Sequence, residues 1–166
     1  WRGILARFLR SNNKSDFSWI KPNRRFISQG LYLPSLYNPC LEDIAVITDS
    51  SGSVSDAELN QFTSETTAIL HDLNPEYVHF IQCDSEVKDY TKYTREDLPL
   101  KIKYKGRGGT AFRPAFEYIN KHCPQIVAAV YLTDLESNDF GPKPHYPVLW
   151  VTTHSEEADF GEIIKM

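Results

Sequence analysis

Asp49, Ser51 and Ser53 form an Asp-x-Ser-x-Ser run where the apolar stretch Ile44-Ala45-Val46-Ile47 gives way to small polar residues. A loop presenting one carboxylate and two hydroxyls offers hard oxygen ligands, which suit Mg2+, Mn2+ or Ca2+ and do not suit zinc or copper. Thr110 lies in the glycine-rich run Gly106-Arg107-Gly108-Gly109-Thr110, just before a predicted helix. Asp134 follows Ile126-Val127-Ala128-Ala129-Val130-Tyr131-Leu132, the most continuous apolar run of the chain. Gly108 and Gly109 are expected to let the second loop approach the first closely. Glu136, two residues beyond Asp134, and His154, past a later apolar run, could stand behind these ligands. Each residue also has a plainer reading. Ser51, Ser53 and Asp134 could cap helices, Glu136 could be solvated, and His154 could be an ordinary loop residue.

Other chemistries fail on particular residues. An aspartic-protease loop needs Asp-Ser-Gly or Asp-Thr-Gly, and Ser51 intervenes before Gly52. A haloacid-dehalogenase-type phosphatase needs Asp-x-Asp, and position 51 is Ser. The Gly-x-Ser-x-Gly elbow, the G-x-G-x-x-G fingerprint after the first strand and the P-loop lysine are absent from the sequence. None of the five histidines forms His-Glu-x-x-His, so the chain carries no zinc-peptidase motif of its own and no catalytic residue is assigned.

The elements that must position these residues follow from periodicity. Ile44 to Ile47 reads as a short buried strand, and Ser55-Asp56-Ala57-Glu58 has the form of a capping box. Leu59, Phe62, Thr66, Ile69, Leu70 and Leu73 then hold a helical stripe, ended at Asn74-Pro75. Tyr77 to Ile81 reads as a second strand, Glu86 to Tyr90 as an antiparallel third, and Leu100 to Tyr104 as another short alternating run. Phe112 to His122 is an amphipathic helix with Pro114 in its first turn. Ile126 to Leu132 reads as a central strand, Pro147 to Val151 as the next, and Gly161 to Ile164 as a short final one. Strands alternating with helices predict an α/β fold with a mostly parallel sheet and helices on both faces. In such a sheet ligands bind at the carboxyl edge, where Asp49 and Asp134 would both stand.

The 166 residues suffice for one domain with a core. Residues 1–41 carry seven Lys/Arg and one acid, whereas residues 42–166 carry eleven and 21. The first part is read as an N-terminal helix (Trp1, Ile4, Leu5, Phe8, Leu9) and an extended arm, packing on the body or on a missing upstream domain. Trp19, Arg24 and Arg25 could mark an interdomain contact, or simply pack and be solvated. A basic arm could bind nucleic acid, but it holds no recognisable reading motif. No apolar run is long enough to span a membrane. Cys40, Cys83 and Cys123 are sparse and odd in number, which fits a reducing interior, and a cytoplasmic location is expected. The chain starts at Trp1 without Met or signal pattern, so it is expected to be a piece of a longer protein.

The ordered set Asp49, Ser51, Ser53, Thr110 and Asp134 resembles the metal-ion-dependent adhesion site of von Willebrand factor A (VWA) domains. The arm narrows the resemblance. Trp1-Arg2, the Phe8 helix, Ser18-Trp19-x-x-Pro22-Asn23-Arg24-Arg25 and Tyr32-Leu33-Pro34, upstream of Asp43 to Ser53, are similar to the VWA-like domain at the C-terminus of predicted bacterial and phage metallopeptidases. The resemblance implies a Rossmann-like VWA fold with a divalent ion at its carboxyl edge. It implies direct contacts to Mg2+ (or Mn2+/Ca2+) from Ser51, Ser53 and Thr110, with Asp49 and Asp134 acting through water. It also implies work beside an AAA+ ATPase. Two functions are expected from this: a metal-dependent module that takes an Asp or Glu carboxylate of a protein partner, or an accessory domain needed by a zinc hydrolase domain elsewhere in the protein. Nucleic-acid binding through the basic arm is a third reading.

Overall fold

The computed structural model describes residues 42–154 and 157–165, together with residues 3, 4, 7, 8, 17–22, 27 and 30–36 of the N-terminal part. Six strands form the main sheet: β3 (Ile44–Asp49), β4 (Val78–Cys83), β5 (Val87–Tyr93), β6 (Ala128–Thr133), β7 (Val148–Thr152) and β8 (Glu162–Lys165). Their spatial order is β5-β4-β3-β6-β7-β8, and every pairing is parallel except β4 with β5. Upstream, β1 (Phe17–Pro22) and β2 (Pro34–Leu36) make a separate antiparallel pair.

The apolar runs explain this order. A parallel sheet is covered on both faces, so its strands are apolar at successive positions, and β3, β4, β6 and β7 are buried throughout. Alternation divides each strand between two cores. Ile44, Val46, Val78, Phe80, Val130 and Leu132 pack with Leu59, Phe62, Ile69 and Leu70 of α1 (Asp56–Leu73). Ala45, Ile47, Ile81, Ala129, Tyr131 and Trp150 pack with Ala115, Phe116 and Ile119 of α2 (Arg113–His122). Phe112, Tyr131, Phe140 and Trp150 form an aromatic cluster on that second face, with ring centroids 5.0–5.4 Å apart in successive contacts. The two helices therefore lie on opposite faces, as expected, and leave the strand ends at the carboxyl edge free to carry loops.

The start of α1 is set by its capping box. Glu58 N donates to Ser55 Oγ at 3.3 Å, and Ser55 N donates to Glu58 Oε2 at 2.8 Å. Ser55→Ala is expected to cost about 1 kcal/mol in urea unfolding, the usual worth of such a cap. An unchanged midpoint would show that Glu58, which also accepts Thr153 Oγ1 at 2.8 Å, holds the helix start without it. The helix ends at Asn74, which takes the left-handed conformation (φ 47°) before Pro75.

Two details differ from what periodicity alone suggests. The alternating run 100–104 forms no strand. This segment crosses towards α1 instead, with Ile102 and Tyr104 packed against the core on that side. It is held by side chains: Gln82 Nε2 donates to Lys103 O at 3.0 Å, Lys105 N donates to Gln82 Oε1 at 2.8 Å, and Tyr104 OH meets Thr63 Oγ1 at 3.0 Å. The N-terminal helix is only partly described. Residues 3, 4, 7 and 8 are helical; Phe8 is buried, while Ile4, expected on the same face, is exposed. Trp1, Leu5, Leu9, Arg24, Arg25, Cys40 and the side chain of Trp19 lie outside the described residues. Among the described residues no helix is long and apolar enough to cross a membrane.

Candidate metal centre

The site grows from the neighbouring parallel strands β3 and β6. Thr48 pairs with Leu132, so Asp49 stands beside Thr133 and one residue before the level of Asp134. Asp49 is fully buried. Its Oδ1 accepts Ser51 N at 2.9 Å and its Oδ2 accepts Thr133 Oγ1 at 2.7 Å. Thr133 Oγ1 in turn accepts Leu135 N at 3.0 Å, which fixes the turn that carries Asp134. Burial pushes the Asp49 carboxyl up, and the nearby Asp134 adds to this, while the bonds from Ser51 and Thr133 pull it back down; the net shift is upward. The ionised form of Asp49 is thus under-compensated where it stands.

Ser51 Oγ and Ser53 Oγ lie 3.0 Å apart; Ser51 is buried and Ser53 exposed. Asp134 is 1% exposed, and its Oδ1 accepts Glu136 N at 3.1 Å. Its Oδ2 is buried and, among the described residues, has no hydrogen-bond partner. A buried carboxylate oxygen without a donor costs free energy unless a cation or water compensates it.

Thr110 arrives on the third loop. Gly52 N donates to Gly108 O at 3.0 Å, and Arg107 N donates to Ser50 O at 2.8 Å, joining this loop to the one after β3. Ser137 Oγ donates to Thr110 O at 3.0 Å, joining it to the loop after β6. With Asp49 bonded to Thr133, the three loops are mutually tied. Asp49, Ser51, Ser53, Thr110 and Asp134 therefore stand on one edge of the sheet. Glu136 and His154 stand there as well, with Glu136 Oε1 3.9 Å from His154 Nδ1.

The glycine expectation is half right. A Cβ on Gly108 would lie 2.9 Å from Asp84 Oδ2, and one on Gly106 (φ +126°) 2.6 Å from Ser50 Oγ. Gly109 has nothing within 4 Å of the equivalent position. Gly106 and Gly108 make the close approach, and Gly109 does not.

Sequence reading passed over Asp84 and Thr133. Asp84 is buried at the end of β4, where it accepts Glu86 N at 3.0 Å and Gly108 N at 3.2 Å, with Lys88 Nζ at 3.5 Å. Burial acts to raise this carboxyl, but the backbone donors Glu86 and Gly108, with Lys88, outweigh it and hold it below the usual range. Asp84 is thus compensated as an anion where Asp49 is not. Its signal was available: like Asp49 and Asp134, it is an Asp at the end of an apolar strand. Nearby, burial pushes the Cys83 thiol up to about 12, so it stays protonated at neutral pH.

The donor set fits a hard cation. Hydroxyls and carboxylates gather on one edge, and the Asp134 oxygen without a donor is the kind of atom that a cation or its water would satisfy. Residues 44–166, covering β3 to the end of the chain, match the family described as VWA-like domain (DUF2201). The chain belongs to this VWA-like family. An uncharacterized protein of Thermotoga maritima is 34% identical over 120 residues, which cover 71% of this chain. The chain spans 29% of that protein's length. The family match and the six-stranded sheet agree on a Rossmann-like α/β VWA-like domain.

Proposed function

We propose that this VWA-like domain is a divalent-metal-dependent protein-binding module. Ser51, Ser53 and Thr110 would hold Mg2+ (or Mn2+/Ca2+) directly, with Asp49 and Asp134 acting through water. The bound ion would supply a positive charge with an open coordination position, and an Asp or Glu carboxylate of a protein partner would fill it. The observation that carries this reading is the buried Asp134 Oδ2 without a donor, beside an Asp49 whose ionised form is also under-compensated. If the direct ligands are neutral hydroxyls, the ion keeps most of its charge for the partner. The chain's own residues then divide the work. Asp49 orients the Ser51 backbone, Thr133 fixes Asp49, and Asp84 holds the loop that brings Thr110.

A second reading is favoured by the length of the T. maritima relative, of which this chain spans 29%. The domain would be one module of a larger protein, serving a metallopeptidase domain elsewhere in it. An AAA+ ATPase is the class of partner proposed from the resemblance. Both readings use the same edge, so the first test is the ion itself. Calorimetric titration of Mg2+ and Mn2+ into the wild type is expected to show weak binding that Ser51→Ala removes. Absence of binding of either ion at millimolar concentration, or capture of a partner that a chelator does not disturb, would overturn the proposal.

A further inference from the structure

We infer that the same edge holds a second cation site, formed by Asp134, Glu136 and His154, that takes a divalent transition ion such as Zn2+ or Co2+. One ligand atom from each of the three lies within 4.8 Å of the others. The topology brings them together. Strands β6 and β7 are parallel neighbours with Thr133 paired to Thr152, so Asp134 and Glu136 leave the end of one strand beside His154 leaving the other. Around an ion with bonds of 2.0–2.2 Å, neighbouring ligand atoms sit about 3–3.5 Å apart, so modest rotations of two exposed side chains close the site.

Three observations distinguish this cluster from an ordinary surface ion pair. Glu136 Oε1 and His154 Nδ1 stand 3.9 Å apart, beyond hydrogen-bond distance, whereas the exposed pair His71 and Asp72 closes to 2.7 Å. The backbone under each ligand is held: Glu136 N donates to Asp134 Oδ1, His154 N donates to Thr152 Oγ1 at 3.2 Å, and Thr153 Oγ1 donates to Glu58 Oε1. Finally, Asp134 is almost fully buried, and among the described residues no donor meets its Oδ2. An ionised carboxylate has about four lone-pair sites, so Asp134 can meet a hard ion's water and still bind a second ion directly.

Ligand chemistry separates the two positions. One imidazole with two carboxylates prefers the later first-row divalent ions and zinc, whereas the all-oxygen set around Ser51 prefers Mg2+, Mn2+ or Ca2+. Three protein ligands leave room for an outside group, as in zinc sites that keep an open position. The assignment does not require the hard-ion reading to hold, although Asp134 serves both.

The test uses the whole chain, with Zn2+ followed by calorimetry, Co2+ by its visible absorption, and Mg2+ titrated separately. His154→Ala is expected to weaken Zn2+ and Co2+ binding at least tenfold, and Glu136→Gln several-fold, with Mg2+ affinity unchanged. Ser51→Ala is expected to do the reverse. Circular dichroism that matches the wild type excludes misfolding, and His71→Ala controls for a histidine elsewhere on the surface. Zn2+ affinity unchanged by His154→Ala, or lost equally in His71→Ala, would overturn the inference. Zn2+ binding that depends on His154, in a chain that binds no Mg2+, would support it and defeat the proposed hard-ion function instead. Failure to bind either ion defeats both.

Discussion

Asp49→Ala is expected to abolish Mg2+ binding and to destabilise the metal-free chain by about 2–4 kcal/mol, because it leaves two buried donors without an acceptor. Those donors are Ser51 N and Thr133 Oγ1, and Asp49 itself is fully buried. A carboxylate at a loop edge would ordinarily add little to the core, but here it ties the ends of β3 and β6. Asp49→Asn separates the two effects. Asn keeps the shape and one acceptor while removing the charge that burial and Asp134 disfavour. It is expected to unfold at least as late as wild type in the presence of a chelator, and still to bind no Mg2+. The pH dependence follows from the upward shift. A raised carboxyl gives stability that is complete below its unfolded value, about 3.9, and lost as pH rises through the folded value. Wild type should therefore gain on Asp49→Asn as pH falls from neutral towards about 4 in chelator. Denaturant midpoints at several pH values measure this. An Asn variant that is less stable than wild type at neutral pH without metal would show that Asp49 serves the fold as an anion, against this account.

The β-sheet was legible because buried parallel strands need apolar residues at successive positions, and Ile44–Ile47 and Ile126–Leu132 supply them with little ambiguity. The order of the loops was legible for the same reason, since each candidate oxygen stands at a strand end or a helix start. What escaped depends on atoms that pattern does not encode. An Asp before a Ser reads alike whether it faces an ion, as proposed for Asp49, or ties down a loop, as Asp84 does. Which glycine permits close approach is a matter of local backbone, and it is Gly106 and Gly108 rather than Gly109 that lie against other atoms. Run 100–104 alternates like a strand, yet the side-chain amide of Gln82 takes the place of a ladder. The meeting of Glu136 with His154 follows from β6 lying beside β7, a fact of topology rather than of sequence spacing.

Asp84→Ala is expected to loosen the loop that carries Thr110, weaken Mg2+ binding about tenfold, and cost about 2–4 kcal/mol through the stranded backbone donors of Glu86 and Gly108. A tenfold loss corresponds to about 1.4 kcal/mol, the size of one charge-assisted hydrogen bond no longer holding the loop ready. The effect on the ion is indirect, so hydrogen exchange at the Gly108 amide should rise in the variant before any metal is added. The sign of the pH dependence is opposite to that of Asp49. The folded carboxyl of Asp84 is held low, so its contribution is present above the unfolded value, about 3.9, and disappears as pH falls through the lower folded value. The gap in unfolding free energy between wild type and Asp84→Asn should therefore be constant at neutral pH and shrink on acidification below about pH 4. Two buried acids on one sheet edge would then respond to acid in opposite directions, one poised for a cation and one already satisfied by amides. A gap that stays constant down to the acid limit, or a Gly108 amide no less protected in Asp84→Ala, would show that the loop is held by its other bonds, among them Gly52 N to Gly108 O, Arg107 N to Ser50 O and Ser137 Oγ to Thr110 O.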